Sequence, residues 1–185
     1  MTFTRRGFLA ATGSALLATP AISQPGWRVP YDFLPRDIEV PEAVTSGMIH
    51  VDTRGTWLYW VPEPGQARRY KVAVGAAGRE FSGMATIRRK AEWPSWVPTA
   101  NMIAMEPEVY GPYRRGLPGG HENNPLGARA LYLYRGGVDT YFRIHGTPQP
   151  WTMGQSFSSG CVRLINEHMI DLYDRVPVGT PVIAY

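Results

Sequence analysis

Ser158-Ser159-Gly160-Cys161-Val162-Arg163-Leu164 holds the only cysteine of this 185-residue chain. Fifteen residues separate Cys161 from His145, which lies in the stretch Phe142-Arg143-Ile144-His145-Gly146-Thr147. A lone cysteine with a histidine on a strand-like segment is the pattern of a thiol nucleophile and its general base. From pattern alone, the alternative is an inert buried thiol, since free cysteine is among the most buried residue types.

Glycines next to both side chains favour the interpretation as a nucleophile and its base. Gly146 follows His145 and leaves room for the ring at a strand end, while Gly160 lets the backbone turn tightly before Cys161. Such a turn brings backbone N–H groups near the sulfur, where they can stabilise an oxyanion. No acidic residue lies close in sequence to either partner, so a backbone carbonyl or a more distant acid such as Asp139 orients the imidazole.

Outward from these stretches, the pattern is mainly that of short strands. Two helices are predicted, one capped by Thr99 and running to about Met105, the other capped by Asn166 and running to about Arg175. The apolar face of the second helix is Met169, Leu172, Tyr173 and Val176. Strands are expected at residues 48–52, 56–61, 70–74, 86–90, 130–134, 140–145 and 181–185. The predicted fold is therefore mainly β, a single-domain β-sandwich with two or three short helices.

The N-terminal region indicates export. Adjacent Arg5 and Arg6, an apolar stretch at 8–17 and small residues at 18–21 are typical of a twin-arginine signal peptide over residues 1–24. That stretch is too short to span a bilayer, and no later segment is apolar enough, so no transmembrane segment is expected in the mature protein. The expected location is the bacterial periplasm. Residues 25–45 form a Pro-rich N-terminal arm, and the remaining domain extends over 46–185.

Charge and cysteine content exclude several classes of function. The formal net charge of +4 includes Arg5 and Arg6, and no dense Lys/Arg stripe occurs, so nucleic acid is not an expected partner. No His/Cys/Asp spacing indicates a metal site, and no cofactor is predicted. In an oxidising compartment a single cysteine cannot form an internal disulfide, so its thiol has another use or none.

Taken together, the two opening stretches resemble the signature of the L,D-transpeptidase catalytic domain family (YkuD/ErfK type). Three further segments resemble the same family: Glu92 to Thr99, Asn123-Asn124-Pro125-Leu126-Gly127 and Val178-Gly179-Thr180-Pro181-Val182. The resemblance covers residues 47–185, nearly the whole mature chain. It implies the fold of this family's catalytic domain.

The resemblance also implies roles for individual residues. Cys161 is the implied nucleophile, His145 its base, and the Gly146 carbonyl the group that orients the imidazole. The amides of Gly160 and Cys161 are implied oxyanion donors. Ser159 belongs to the same oxyanion and substrate-binding segment, at a position where many relatives carry histidine.

Arg163 leaves two interpretations open. A planar bidentate donor suits a substrate carboxylate. The alternative is a structural ion pair.

The implied reaction is acyl transfer on peptidoglycan stem peptides. Cys161 attacks the carbonyl of the third stem residue, usually diaminopimelate, releases D-alanine and forms a thioester. The acceptor amine belongs to a second stem (a 3-3 cross-link), an outer-membrane lipoprotein or an outer-membrane β-barrel protein. Carbapenems are implied inhibitors, through acylation of the cysteine. The alternatives are an L,D-carboxypeptidase or amidase that uses water, and a non-catalytic cell-wall binding protein.

Overall fold

The computed structural model describes residues 27–185. The predicted signal peptide at 1–24 therefore lies outside the described residues. The strands are β1 Arg36–Glu39, β2 Met48–Asp52, β3 Trp57–Glu63, β4 Gln66–Lys71, β5 Val74–Gly75, β6 Gly83–Glu92, β7 Arg129–Arg135, β8 Val138–His145, β9 Ser156–Ser158, β10 Val162–Arg163 and β11 Pro181–Ala184. The α-helices are α1 Ala100–Met105, α2 Pro107–Tyr110 and α3 Asn166–Arg175.

Nine of these strands form one mixed sheet, in the order β1-β4-β3-β2-β11-β6-β7-β8-β10. Most neighbours are antiparallel, but β2 with β11 and β8 with β10 are parallel pairs. The short strands β5 and β9 form a separate parallel pair. The prediction of a mainly β fold with a few short helices is confirmed.

The large sheet curls back on itself. Strands β4 and β10 are seven positions apart in the strand order, which in a flat sheet is about 34 Å at ~4.8 Å per strand. Yet Ala73, two residues beyond β4, exchanges two backbone hydrogen bonds with Arg163 of β10, at 2.9 and 2.8 Å. The curvature encloses a core between the two halves of the sheet, as a β-sandwich does.

Helix α3 fills this core and ties the halves together. Met169 and Leu172 are fully buried among residues of the sheet. On its other side, Asp171 accepts hydrogen bonds from Arg68 at 2.7 Å and Tyr70 at 2.6 Å, both on β4. These contacts hold α3 beside the segment that leads into β10 and the cysteine.

Two local predictions were wrong. The alternating stretch 70–74 is not one strand, because β4 ends at Lys71 and the chain then crosses to pair with Arg163 and β9. Asn166 does not cap α3 but is its first residue, and its Oδ1 accepts a hydrogen bond from the Ala128 backbone N–H at 2.9 Å. The Thr99 cap is present, with its hydroxyl accepting from the Met102 N–H at 3.2 Å.

The Pro-rich arm contributes one strand to the large sheet. Its strand β1 pairs with β4 and forms one edge of the large sheet. Trp27, Val29 and Phe33 pack against a small buried cluster of Ala73, Met153 and Ile165.

Helix α3, the longest helix in the described range, has ten residues, and no helix in that range is long and apolar enough to cross a bilayer.

Candidate active site

The parallel pairing of β8 with β10 sets the geometry of the site. Val162 is in register with Ile144, and Arg163 with His145. Ile144 and Val162 are buried in the core. Because side chains alternate along a strand, His145, Cys161 and Arg163 lie on the opposite face. All three line one cavity of about 1340 Å³.

His145 ends β8 and is held by the following peptide. Its Nδ1 is 2.6 Å from the Gly146 carbonyl oxygen, which can only accept, so Nδ1 carries the proton and Nε2 has the free lone pair. The side chain is 2% exposed. Burial, reinforced by the positive charge of Arg163, lowers the pKa of His145 to about 3. The imidazole is therefore neutral at physiological pH.

The loop Asn123-Asn124-Pro125-Leu126-Gly127 packs behind this histidine. The Asn124 amide donates to the carbonyls of Pro94, at 2.8 Å, and Pro118, at 3.0 Å. A Cβ at Gly127, where φ is +60°, would lie 2.6 Å from the Gly146 carbonyl carbon. Only glycine permits this approach, which supports the peptide that orients His145.

Cys161 lies between β9 and β10 and is partly exposed. Its Sγ is 3.9 Å from the Tyr141 carbonyl oxygen. Burial raises the pKa of the Cys161 thiol, against the opposing effects of the Arg143 backbone N–H and of the charges on Arg163 and Arg143. The resting pair is thus neutral thiol and neutral imidazole rather than an ion pair.

Gly160 has a backbone conformation that glycine alone tolerates well. Its φ is +124°, and a Cβ there would collide with the Phe142 ring and with the Arg79 carbonyl oxygen. The Gly160 N–H donates to Ser158 Oγ at 3.2 Å. Of the two predicted oxyanion donors, the Gly160 N–H therefore has a partner. The Cys161 N–H donates no backbone hydrogen bond within residues 27–185.

The other predicted site residues differ in exposure. Ser159 is exposed, and its Oγ is 3.3 Å from the Tyr110 hydroxyl. Arg163 stacks on Phe157 at 4.8 Å, and its buried Nε has no hydrogen-bond partner in the described part of the chain. Burial lowers the pKa of Arg163. The structural ion pair considered for Arg163 is not observed among residues 27–185.

Asp139, the acid considered as a partner for His145, pairs elsewhere. Both of its oxygens accept from Arg143, at 2.6 and 2.8 Å. This bidentate pair lowers the pKa of Asp139 against the effect of its partial burial. It also holds the Arg143 guanidinium against the Tyr132 ring, at 4.3 Å.

Residues 96–113, here called the lid segment, form the opposite wall of the cavity. Within it, Trp96 packs against Tyr110 and Tyr113 with ring centroids 6.3 and 6.1 Å apart. An Arg79–Glu106 ion pair of 3.5 Å and the Tyr110–Ser159 contact link the segment to the cysteine side. Trp93 is 53% exposed and does not line the cavity.

Sequence reasoning missed two features of the cavity. Tyr141 has a positive φ of +61° and is 71% exposed beside Cys161. The sequence gives no signal for this conformation, because it arises from a bulge in the pairing of β7 with β8. Arg79 and Glu80 come from the turn between β5 and β6. Their charges, directly after Ala76, Ala77 and Gly78, were the available signal. Within residues 27–185, no group of three or more His, Cys, Asp or Glu side chains is arranged to hold a metal ion.

A family model matches most of the chain. The model of the L,D-transpeptidase catalytic domain (YkuD) matches residues 46–183. A probable L,D-transpeptidase ErfK/SrfK of Escherichia coli (strain K12) is 31% identical over 151 residues, covering 80% of this chain and 47% of the relative. The chain thus spans about half the length of that relative.

Two other relatives match over most of both chains. A putative L,D-transpeptidase in the ATP synthase subunits region (ORF 5) of Fuscovulum blasticum is 32% identical over 191 residues, covering 94% of this chain and 91% of the relative. The crystal structure of a probable carnitine operon oxidoreductase caia from Brucella melitensis is 50% identical with a TM-score of 0.57. That match covers 82% of this chain and 93% of the other.

Proposed function

This chain belongs to the family of L,D-transpeptidase catalytic domains, and on that premise we propose that it is a cysteine-dependent peptidoglycan L,D-transpeptidase. The observation that carries the proposal is the parallel register of β8 and β10, with His145 and Cys161 on one face and in one cavity. The Nδ1–H of His145 donates a hydrogen bond to the Gly146 carbonyl, so Nε2 is the nitrogen that acts as the base.

The proposed first step is attack of the Cys161 sulfur on the carbonyl that joins the third stem residue to D-alanine. Because both groups are neutral at rest, the thiol proton moves to His145 as the carbon–sulfur bond forms. The Cys161 N–H stabilises the oxyanion. The intermediate then collapses, His145 returns the proton to the departing D-alanine amine, and a thioester remains.

In the second step an amine attacks the thioester. His145 takes the proton of the amine and passes it to the departing sulfur, so that thiol and imidazole return to their starting states. A cavity of about 1340 Å³ exceeds the ~300–1,000 Å³ usual for one small ligand, which supports simultaneous binding of donor and acceptor peptides. The acceptor is a second stem, an outer-membrane lipoprotein or an outer-membrane β-barrel protein.

Arg163 is the proposed carboxylate-binding residue of the site. It lines the cavity beside the sulfur, and its buried Nε has no hydrogen-bond partner among residues 27–185. Its planar guanidinium suits bidentate recognition. Ser159 and Gly160 belong to the loop between β9 and β10 (residues 159–161), here called the nucleophile loop, and they shape its substrate side. Carbapenems are the proposed inhibitors, by acylating Cys161, and the proposed location is the periplasm after twin-arginine export.

Incubation of the purified chain with disaccharide-tetrapeptides of the diaminopimelate type tests the proposal, with products identified by mass spectrometry. We expect 3-3 linked dimers and free D-alanine, both lost in Cys161→Ala. Tripeptide without dimers would assign the L,D-carboxypeptidase reaction instead. Absence of any product, with binding of the peptide retained, would contradict an enzymatic role and favour a cell-wall binding protein.

A further inference from the structure

Glu80 lies directly behind the nucleophile loop. It belongs to the turn between β5 and β6, where the Phe81 N–H donates to the Gly160 carbonyl at 3.3 Å. A Cβ on Gly75 would lie 2.6 Å from the Glu80 Cα and 2.8 Å from the Gly160 Cα, so the three backbones are in close contact. The position of Glu80 is therefore fixed relative to Cys161, one residue beyond Gly160.

The carboxylate of Glu80 has no partner in the described part of the chain. Its Oε2 is buried without a hydrogen bond, while the residue as a whole is partly exposed and lines the cavity that holds Cys161. Its neighbour Arg79 is paired with Glu106 instead. A buried carboxylate oxygen without a donor is unfavourable, and an unsatisfied polar group in a cleft is a candidate for ligand binding.

The same cavity holds an unpaired charge of the opposite sign. The buried Nε of Arg163 has no partner in the part of the chain that the structure describes. The ionisable groups that raise the pKa of Arg163 are Cys161 and Tyr110, with no carboxylate among them. Glu80 and Arg163 therefore do not neutralise each other across the cavity. A ligand that carries both an ammonium and a carboxylate would satisfy both.

We propose that Glu80 is the ammonium-binding residue of the cavity and, with Arg163, recognises a zwitterionic α-amino-acid head on the third residue of the stem peptide. The distal end of diaminopimelate is such a head, with ammonium and carboxylate on one carbon. Lysine at the same position offers the ammonium alone. This inference rests on the proposed function, since the stem peptide is the ligand, and it deepens it by naming the group that is selected.

Binding measurements on the full chain carrying Cys161→Ala test the inference without turnover. Three tetrapeptides that differ only at the third residue are compared by calorimetry: diaminopimelate, diaminopimelate acetylated on its distal amine, and lysine. We expect acetylation to weaken binding about 10- to 100-fold, the range of a lost charge-assisted hydrogen bond. The lysine peptide should bind with intermediate affinity.

Glu80→Gln in the same background should remove most of the difference between the free and acetylated peptides. Glu122→Gln is the matched control, because Glu122 also lines the cavity but is exposed, and it should keep the full difference. Glu80→Asp should restore part of it. An unchanged rate of Cys161 alkylation by iodoacetamide in Glu80→Gln with the native cysteine checks that the nucleophile loop is intact.

Equal binding of free and acetylated peptides by Cys161→Ala would overturn the inference, as would undetectable binding at millimolar concentration or persistence of the difference in Glu80→Gln. Release of D-alanine by the native enzyme is measured in parallel. If D-alanine is released but the free and acetylated peptides bind equally, only the inference about Glu80 is contradicted. If the free peptide binds more tightly but no D-alanine is released, the inference is supported and the transpeptidase proposal is contradicted.

Discussion

At the scale of single residues, the His145–Cys161 pair is uncharged in the resting protein. Burial lowers the pKa of His145 to about 3 and raises that of Cys161. The thiolate predominates only above the cysteine pKa, so the free protein holds little thiolate at neutral pH. Reactivity toward an acyl donor then depends on proton transfer during attack.

This predicts the pH profile of cysteine alkylation. The rate for iodoacetamide should rise with pH through an apparent pKa above the ~8.5 of free cysteine, with no plateau between pH 5 and 8. Stopped-flow or mass-spectrometric rates measure it. A plateau that extends below pH 7 would contradict the neutral pair, because it would reveal a thiolate–imidazolium ion pair.

A second prediction concerns the backbone beside the nucleophile. Gly160→Ala should destabilise the protein by about 2–4 kcal/mol, from the strain of φ +124° and the collision with Phe142 and Arg79. Gly179→Ala is the control, with φ +98° and no atom within 4 Å of the added Cβ, and should cost about 1–2 kcal/mol. Urea unfolding measures both, and equal losses would show that packing around Gly160 is unimportant.

At this scale the sequence singled out the two side chains that line one cavity in the structure, because a single cysteine and a His-Gly pair are rare and local signals. The sequence did not determine which group orients the His145 imidazole. The choice between the Gly146 carbonyl and Asp139 depends on which group reaches Nδ1, and Asp139 is bound to Arg143. Likewise, the Gly160 N–H was an expected oxyanion donor, but it donates to Ser158 Oγ.

At the scale of elements, the lid segment depends on a short helix that has little intrinsic stability. Helix α1 has six residues, none of them buried, and isolated helices of this length are marginal in water. Its Thr99 cap is therefore a large part of what keeps it formed.

Thr99→Ala should cost about 1 kcal/mol of local stability. The expected result is about fivefold faster amide exchange over Ala100–Met105, with the exchange of core strands unchanged. Thr99→Ser keeps the hydroxyl and should restore protection. Unaltered exchange in Thr99→Ala would show that contacts across the cavity, rather than the cap, hold the segment.

The N-terminal arm is the second element whose role can be tested. Phe33 is partly buried against the cluster of Ala73, Met153 and Ile165, so Phe33→Ala should lower the free energy of unfolding by about 1–2 kcal/mol. Tyr31, in the same turn, is 75% exposed, and Tyr31→Ala should cost less than about 1 kcal/mol. If thermal unfolding shows no difference between the two variants, the arm is not part of the folded unit.

Element prediction from sequence succeeded where patterns were local and failed where distant segments decide. The cap at Thr99 and the apolar face of α3 follow from nearest neighbours along the chain. Asn166 looked like a cap of the same kind, but its side chain bonds the Ala128 N–H, 38 residues away. The stretch 70–74 alternates like one strand, but Ala73 pairs with Arg163 and ends it.

At the scale of the whole molecule, the curled sheet brings the ends of the strand order together. Ala73, beyond β4, pairs with Arg163 of β10, so the turn that carries Glu80 and the loop that carries Cys161 become neighbours. Strand content and fold class were predictable from periodicity and turn residues. The strand order was not, because parallel pairs such as β8 with β10 join segments that share no local signal.

The central claim is that Cys161, served by His145, forms a thioester with the stem peptide. Intact-protein mass spectrometry after millisecond mixing with a tetrapeptide donor tests it most directly. We expect an adduct of the donor mass minus D-alanine on Cys161, absent in Cys161→Ala and formed at least about 100-fold more slowly in His145→Gln. Release of D-alanine by Cys161→Ala, or an adduct that forms at the native rate in His145→Gln, would contradict the account.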